Sequence, residues 1–325
     1  MKNEKTIIFG GSGFIGTHLT RFLLDNELVD RIYCVDISEP RIKSKEIEFI
    51  RHDIRKPFNL DVDSVDTIYN LAAVHKTPGH EDREYFETNI LGAQNVCNFA
   101  KDNNIRTILF TSSISCYGPG EELKTEDSLL TPKSSYGSSK MAAEFIHREW
   151  LKEDLSRRLV ILRPGVVFGE GEGGNFSRLY KSMKNRYFFF PGRKDTKKAC
   201  IYVKDLVRLA YEMTRSNERL QVYNMTYPES PRIDDIVKTI SDVCGVHNSD
   251  IVIPGSLLIG ISYIFMMFSK IIGKKVNICP DRVKKLINST NISGRKLANS
   301  SYKIRYLLKE AISDWYKDCN YKGLF

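Results

Sequence analysis

The stretch FGGSGFIG, residues 9–16, decides how the rest of the chain is interpreted. It follows the apolar run KTIIF and precedes an amphipathic stretch, so it predicts a strand, a tight turn and a helix. Gly10, Gly13 and Gly16 give this turn the spacing GxxGxxG. Such a turn aims free N–H groups of a helix N-terminus at a phosphate, and glycine lets a pyrophosphate approach the backbone. A glycine trio alone is a weak signal, so a second one is needed.

Asp36 supplies that second signal. The second predicted strand, RIYCVD, ends at Asp36, twenty residues after Gly16. A carboxylate there can bind both ribose hydroxyls of NAD and would repel the 2′-phosphate of NADP. Arg41 follows five residues later, so NADP stays an alternative cofactor. We therefore expect NAD as the cofactor, with Asp53, after the third strand, placed to reach the adenine amine.

Short apolar strands alternate with helical stretches through the first half of the chain. Their richness in Ile, Val and Phe suits strands buried on both faces, and the alternation implies a parallel sheet with right-handed crossovers. The predicted strands are 5–10, 31–36, 48–53, 66–72, 106–112 and 158–164, and the predicted helices lie near 14–25, 82–102 and 135–154. This pattern predicts an α/β fold, a Rossmann-type doubly wound parallel sheet.

The second half is less regular. After Pro164 comes the glycine-rich segment GVVFGEGEGGNF, predicted as a loop, and then helices near 176–186, 232–244, 280–288 and 304–319. We expect residues 1–165 to form an NAD-binding domain. Residues 166–325 are expected to form mainly a smaller C-terminal substrate-binding lobe, with segments near 195–225 returning to the core.

The composition and net charge of the chain limit the classes of partner and site that we expect. Among 325 residues, Lys and Arg exceed Asp and Glu by nine, and the pI is near 9.0. Such a balance favours anionic partners, but no Lys/Arg-rich run is interleaved with aromatics, so nucleic acid is not expected. Seven cysteines without CxxC or a Cys/His cluster predict neither a disulfide framework nor a metal site. The start MKNEKTIIFGG runs straight into the first strand, unlike a signal peptide, which predicts a cytoplasmic location.

Residues 256–273, SLLIGISYIFMMFSKIIG, are strongly apolar. The run is a little short for a membrane span and is interrupted by Ser262 and Ser269. Three interpretations stay open: a buried or pocket-capping helix, which we favour, a helix lying on a membrane surface, and a true span. The second would give peripheral membrane contact.

Tyr136 and Lys140 stand four residues apart in SSYGSSKMAAE, at the start of a predicted helix. That spacing alone is typical of packing and solvation on many helices. Ser113, at the end of the fifth strand, faces the same crevice beyond the carboxyl ends of the strands. Together with the glycine turn and Asp36, these residues indicate a proton-transfer site rather than a surface pair.

At this point the chain resembles the extended short-chain dehydrogenase/reductases, specifically their NAD-dependent nucleotide-sugar epimerase/dehydratase group. The resemblance spans roughly residues 5–225. It rests on GGSGFIG, NLAAVH (70–75), FTSSISCYG (110–118), YGSSK, LRPGVVFGEG (162–171) and IYVKDL (201–206).

The resemblance implies roles for individual residues. Tyr136 would act as the base, Ser113 would hydrogen-bond the reacting oxygen, with Ser112 a weaker candidate, and Lys140 would hold the nicotinamide ribose. A neighbouring ammonium and a cationic nicotinamide should both lower the pKa of Tyr136. The implied cofactor contacts are Gly10, Gly13, Phe14, Ile15, Gly16, Asp36, Asp53, Ile54, Leu71, Ala72, Ala73, Asn89, Tyr136, Lys140, Pro164 and Val166.

The substrate side is a nucleotide sugar by the same resemblance. Asn175 and Arg193 are assigned to it, and His75 and Lys76 are placed to contact the sugar. Lys198 stands where the family often has arginine, and the last hundred residues match poorly, so the substrate is less secure than the cofactor.

We expect an NAD-dependent 4-epimerase that oxidises C4 transiently and reduces its other face. A reductase or dehydrogenase of a keto-sugar or a 3β-hydroxysteroid-like alcohol is the alternative, and a non-catalytic NAD-binding protein a third. A 4,6-dehydratase is disfavoured because Ile114-Ser115-Cys116, not an acid pair, follows Ser113. The resemblance also implies a homodimer through the helices near 82–102 and 135–154, and a place in polysaccharide biosynthesis.

Overall fold

The computed structural model describes residues 4–75, 79–272 and 280–325, with side chains for all of these but 267–272, 281 and 282. The strands are β1 Lys5–Phe9, β2 Arg31–Asp36, β3 Ile47–Arg51, β4 Thr67–Asn70, β5 Thr107–Thr111, β6 Gly120–Lys124, β7 Arg158–Pro164, β8 Val166–Phe168, β9 Phe190–Pro191, β10 Cys200–Tyr202, β11 Leu220–Met225, β12 Val252–Ile253 and β13 Thr290–Ile292. The helices are α1 Phe14–Asp25, α2 Asp82–Phe86, α3 Gly92–Asp102, α4 Ser135–Lys152, α5 Asn175–Lys184, α6 Val203–Thr214, α7 Ile233–Cys244, α8 Gly255–Ile272, α9 Pro280–Ile287, α10 Arg295–Asn299 and α11 Leu308–Asp318.

A parallel sheet forms the centre of the molecule. Over the described residues it has seven strands in the order β11-β7-β5-β4-β1-β2-β3, and each neighbouring pair is parallel. After β1, the chain adds β2 and β3 on one side of the sheet. From β4 onward, it adds strands on the other side of β1. That reversal opens a crevice beyond the carboxyl ends of β1 and β4, where ligands of such sheets bind. The predicted doubly wound α/β fold is confirmed.

Apolar side chains cover both faces of the sheet. In β1, Ile7 and Phe9 belong to the core shared with α3 and α4. Ile8, between them, belongs to the core shared with α1 and α6. All three are fully buried. Because successive strand residues point to opposite faces, this two-sided burial explains why the strands are uninterrupted apolar runs.

The structure differs from the sequence prediction at three places. The sheet has a further strand, β11, paired with β7 and contributed by the irregular second half. The predicted glycine-rich loop after Pro164 begins with the short strand β8, which pairs with β10. The predicted helix over 82–102 is interrupted by a π turn at Glu87–Leu91. Such a turn inserts an extra residue into the helical repeat and often marks a functional site.

One short strand pair joins the C-terminal lobe to the first half, because β13 pairs with β6. A second short pair, β12 with β9, lies within the lobe. Helix α8 packs on α9, and α7 on α11. The interpretation of α8 as a buried helix is wrong for its described side chains, because its large apolar residues Leu257, Ile261, Tyr263, Ile264 and Phe265 are between 38% and 55% exposed.

In the part of the chain that the structure describes, α8 and the other helices all fall short of the combined length and hydropathy that crossing a bilayer requires.

Candidate functional site

The glycine turn between β1 and α1 is built by close backbone packing. Gly10 has φ of +79°, and a Cβ there would lie 2.6 Å from the backbone nitrogen of Ala72. A Cβ on Gly16 would lie 2.4 Å from the carbonyl oxygen of Gly10. Gly13 is the N-cap of α1 and has no side chain to bond the first N–H groups of that helix, at Phe14 and Ile15. This turn therefore leaves the helix N-terminus to a ligand.

Asp36 is tied to this turn by hydrogen bonds. Its carboxylate accepts from the backbone N–H of Ser12 at 3.1 Å and from that of Ser38 at 3.0 Å. Ser12 Oγ in turn donates to the carbonyl of Ser38 at 2.6 Å. Arg41 extends to the glycine loop after β8, where its Nη1 would be 3.4 Å from a Cβ on Gly171. The structure thus brings the predicted glycines and the predicted carboxylate together.

Asp53 and Ile54 follow β3 and have different surroundings. The carboxylate of Asp53 pairs with the guanidinium of Arg55 at 2.6 Å, and hydrogen bonds from Arg55 hold the pKa of Asp53 below its ordinary value. The side chain of Ile54 is buried in the core against Gly92 of α3. Ile54 thus packs this loop onto α3 in the core, and its predicted contact with the cofactor stays a prediction.

Asn89, in the π turn, connects the segment after β4 to helix α4. Its Oδ1 accepts from the backbone N–H of Val74 at 3.1 Å, and its Nδ2 donates to Ser139 Oγ at 2.8 Å. Ser139 Oγ donates to the carbonyl of Tyr136 at 2.9 Å. The same segment, Leu71 to Ala73, packs behind Gly10. Asn89, acting through Ser139, therefore fixes the backbone of Tyr136 relative to the glycine turn. Sequence reasoning had assigned no role to Ser139.

Ser113 and Tyr136 meet at the carboxyl end of β5. Ser113 caps a 3₁₀ turn over Ile114–Tyr117, its Oγ accepting from Ser115 N–H at 3.1 Å. Burial raises the pKa of Tyr136 to about 12, although a side-chain hydrogen bond with Ser113 acts to lower it. The pKa is raised because burial outweighs the hydrogen bond with Ser113. The predicted lowering by Lys140 and a cationic nicotinamide stays a prediction.

Lys140 lies one helical turn after Tyr136 and is 2% exposed. Its Nζ donates to the carbonyl of Thr111 at 2.8 Å and lies 4.7 Å from the centre of the Phe110 ring. Burial lowers the pKa of Lys140 to about 8, while Cys116 and Glu144 act to raise it.

Behind these residues lies a buried polar network that the sequence analysis missed. Glu144 of α4 and Arg163 of β7 form an ion pair at 2.6 Å, with side chains 2% and 4% exposed. Arg163 Nη1 also donates to the hydroxyl of Tyr117 at 2.6 Å, and that hydroxyl donates to Asn224 Oδ1 at 2.8 Å. The network joins helix α4 to the turn after Ser113. The sequence gives no distinct signal for it, because the face of α4 around Glu144 also carries Lys140 and His147.

Pro164 and Val166 mark the place where β7 gives way to β8. Gly165, between them, donates its N–H to the carbonyl of Met225 at 3.0 Å, and Val166 donates to the carbonyl of Ala199 at 2.9 Å. A Cβ on Gly165 would lie 2.5 Å from that Ala199 oxygen. This crossing places both predicted residues at the carboxyl edge of the sheet.

The predicted substrate residues lie in ion pairs and caps. Asn175 starts α5, is exposed, and accepts from Arg178 at 2.9 Å. Arg193 pairs with Glu121 and donates to Ser289 Oγ at 3.0 Å. Their contact with substrate stays a prediction.

The side chain of Lys198 caps the C-terminus of helix α9. Its Nζ donates to the carbonyls of Lys285, Leu286 and Asn288 at 2.8–3.0 Å, which closes the C-terminus of α9. Burial lowers the pKa of Lys198 to about 8. His75 is exposed just after β4, and Lys76 lies outside the described residues.

The two carboxylates that follow the turn after Ser113 most closely in sequence each form an ion pair with another residue. Glu121 binds Arg193, and Glu122 pairs with Lys124 at 2.7 Å. An acid pair for removing protons from sugar carbons is therefore not formed by these two residues.

The described residues fit NAD. The uncapped start of α1 suits a pyrophosphate, and Asp36 stands beside it for the adenosine ribose. Ser113, Tyr136 and Lys140 stand at the carboxyl end of β5, on the other side of the crevice. The arrangement can bind a dinucleotide and transfer a proton beside its reactive end.

Comparisons with known proteins agree with this geometry. A sequence profile of the NAD dependent epimerase/dehydratase family matches residues 6–226. The N-acetyl-alpha-D-glucosaminyl-diphospho-ditrans,octacis-undecaprenol 4-epimerase of Escherichia coli O157:H7 is 29% identical over 315 residues, which cover 95% of this chain and 93% of that protein. The UDP-glucose 4-epimerase of Pisum sativum is 28% identical over 206 residues, 56% of this chain and 58% of that protein.

Solved structures share the fold. The UDP-glucuronic acid 4-epimerase from Bacillus cereus, in complex with NAD, superposes with a TM-score of 0.70 at 22% identity, covering 98% of this chain and 100% of that one.

Proposed function

Because the chain belongs to the NAD-dependent epimerase/dehydratase family, we propose that it is a 4-epimerase of a diphosphate-linked sugar, acting by transient oxidation at C4. The observation that carries this proposal is the meeting of Ser113 and Tyr136, with Lys140 one turn away, beside a glycine turn that holds Asp36. The predicted family and its NAD dependence are confirmed; the epimerase reaction and its base remain proposals.

Each of the three polar residues has a proposed task. Tyr136 takes the proton of the C4 hydroxyl and later returns it. Ser113 hydrogen-bonds the same oxygen as it becomes a carbonyl. Lys140 supplies positive charge to the phenolate and holds the nicotinamide ribose with N–H donors beyond the one that binds the carbonyl of Thr111.

NAD, held by the glycine turn, Asp36 and the segment Leu71–Ala73, supplies the acceptor and donor of the C4 hydride. The chain's own residues must keep the keto-sugar bound while it turns its other face to that donor. Because the hydride returns to C4 and the proton returns to the oxygen on C4, the reaction needs no net oxidant.

Two observations support our proposal for the group that carries the sugar: the similarity to known proteins and the exposed apolar side chains of α8. The Pisum sativum relative, whose name specifies a UDP-sugar, matches about half of the chain. The Escherichia coli relative, whose name specifies a polyprenol diphosphate sugar, matches it from end to end. Since α8 also exposes apolar side chains, we propose a lipid diphosphate as carrier, with the nucleoside diphosphate predicted from the sequence as second candidate.

The experiment uses the purified full chain with catalytic NAD and two substrate panels. One panel contains UDP-, dTDP- and GDP-sugars, and the other contains polyprenyl diphosphate N-acetylhexosamines in detergent. NMR follows the configuration at C4, and absorbance follows NADH. A new C4 epimer without lasting NADH is expected.

Net NADH formation, or turnover only with NADPH and a keto-substrate, would overturn the epimerase proposal in favour of an oxidoreductase. Unchanged sugars in both panels, with NAD bound, would leave a non-catalytic NAD-binding protein or one acting on another alcohol.

Four further sequence predictions enter this proposal. We propose that residues 166–325 mainly bind substrate and that the enzyme acts in the cytoplasm, in polysaccharide biosynthesis. We also propose a homodimer through the surfaces of α2–α4. Support comes from Phe86, Leu91 and Phe145, large apolar residues that these elements expose by 39–55%.

A further inference from the structure

Helix α8 presents one apolar face that neither the reaction nor the core uses. Leu257, Ile261, Ile264 and Phe265, spaced i, i+4, i+7 and i+8, fall on one side of the helix. They are 54%, 38%, 55% and 42% exposed. The opposite side holds Ser262, which is fully buried and bonds back to the carbonyl of Ile259 at 2.6 Å. The helix therefore turns a stripe of large side chains to solvent while packing through another side.

More exposed apolar side chains border this face. Ile251 and Val252 precede α8 and are 63% and 42% exposed, and Leu286 of α9 is 55% exposed. Tyr263 adds an aromatic ring with a polar end, 47% exposed. Rings of this kind favour the boundary between lipid and water.

Between Asp250 and Asp281 the sequence carries charge of one sign. Residues 251–280 contain no Asp or Glu, and Lys270, Lys274 and Lys275 lie in the same stretch. Lys284 and Lys285 stand in the last turn of α9. A surface that joins the apolar side chains of α8 to the exposed lysines of α9 complements anionic phospholipid headgroups over an acyl layer.

The same lobe is joined to the catalytic edge of the sheet. Ile287, at the end of α9, packs against Gly192 and against Gly255 at the start of α8. Glu121 of β6 receives hydrogen bonds from Arg193 and from Ser289 N–H. β6 begins seven residues after Ser113. Packing and hydrogen bonds therefore connect α8, through the end of α9, to the strand that begins seven residues after Ser113.

We propose that α8 docks this protein on the surface of an anionic lipid bilayer, with its axis along the surface and Leu257, Ile261, Ile264 and Phe265 among the acyl chains. The docking stands on the exposed face and the lysines. Its benefit, presenting a membrane-held diphosphate sugar to Ser113 and Tyr136, rests on the proposed function.

The test is co-sedimentation of the full chain with vesicles, without NAD or substrate. Vesicles of phosphatidylcholine and phosphatidylglycerol in equal amounts should bind the protein, and high salt should weaken the binding. Vesicles of phosphatidylcholine alone should bind it less. In Leu257→Gln/Ile264→Gln the partition coefficient should fall at least about tenfold, because two large apolar side chains no longer enter the lipid.

The matched control is Leu155→Gln/Leu307→Gln, which changes two residues that are 84% and 63% exposed elsewhere. It should bind vesicles like the wild type. Failure of the wild type to sediment, or equal binding by the α8 variant, would overturn the docking. So would gel filtration showing that the α8 variant breaks a dimer, because a second copy would then cover the face.

Vesicle binding and C4 epimerisation are measured separately, so the two proposals can fail independently. Epimerisation of detergent-dispersed substrate without vesicle binding would refute only the docking. Vesicle binding without epimerisation of any sugar would refute only the proposed reaction.

Discussion

The candidate site of the sheet and the C-terminal lobe differ in how their polar groups are held. Around the candidate site, Lys140, Glu144 and Arg163 are almost completely buried and bind groups from other strands and turns. In the lobe, Arg193 and Lys194 are partly exposed and pair with surface carboxylates. A buried polar group without its partner is costly, whereas exposed pairs contribute little. The first region should therefore tolerate substitution much less than the second.

The largest effect is expected at Tyr136. Tyr136→Phe keeps the ring, which packs 6.2 Å from that of Tyr85, and removes the hydroxyl. Turnover should fall about a thousandfold because the proton acceptor is lost, while the Kd for NAD stays within about twofold. Single-turnover kinetics and calorimetric NAD titration measure the two quantities. Tyr187→Phe, at a residue 61% exposed in the lobe, is the control. An active Tyr136→Phe enzyme would refute the mechanism.

The next effect tests the buried ion pair. Glu144→Gln leaves Arg163 as an unpaired buried charge, and the free energy of unfolding should fall by about 3 kcal/mol. Glu149→Gln on the same helix breaks an exposed pair with Lys152, with side chains 67% and 69% exposed, and should change it by less than about 0.5 kcal/mol. Urea denaturation measures both. Equal losses would mean that burial does not distinguish the two pairs.

A third test makes one substitution in both regions. Gly16→Ala places a Cβ within 2.7 Å of three backbone atoms, so it should destabilise by at least about 2 kcal/mol and weaken NAD binding. Gly260→Ala, in α8, meets nothing within 4 Å. It should stabilise by up to about 1 kcal/mol through better helix propensity. Thermal unfolding with and without NAD gives the comparison, and a tolerated Gly16→Ala would contradict the close-packed cradle.

The smallest effect concerns Lys198. Lys198→Met removes the cap on three carbonyls of α9, and a loss of about 1 kcal/mol is expected. If capping is its whole role, kcat and KM of the epimerase should stay within about twofold. A tenfold rise in KM with unchanged stability would instead assign Lys198 to the substrate, the role of the arginine it replaces.

The same two regions differ in how much of their structure could be predicted from the sequence. Gly10 and Asp36 could be assigned because a backbone turn and a strand end fix their places locally. Ser113 and Tyr136 were assigned through the family resemblance of FTSSISCYG and YGSSK, and the predicted end of the fifth strand placed Ser113 at the same crevice. The family and fold predictions are confirmed.

Arg193 and Lys198 could not be interpreted in the same way. Their partners lie about ninety residues away, at Ser289 and at the end of α9, and no local pattern encodes such a contact. β11 was missed for a related reason, since it joins the sheet from outside the regular strand–helix alternation. The raised pKa of Tyr136 depends on burial, which spacing does not show.

The pairing of β11 with β7 has a consequence for biosynthesis of the chain. Residues 1–165 contain six strands of the sheet, but β7 keeps an open edge until Met225 has left the ribosome. α6, which packs on α1, emerges in the same interval. At ordinary elongation rates the sixty residues between take about 3–12 s. During that time the nascent chain exposes an unpaired parallel strand and an uncovered apolar face, the kind of surface that chaperones bind.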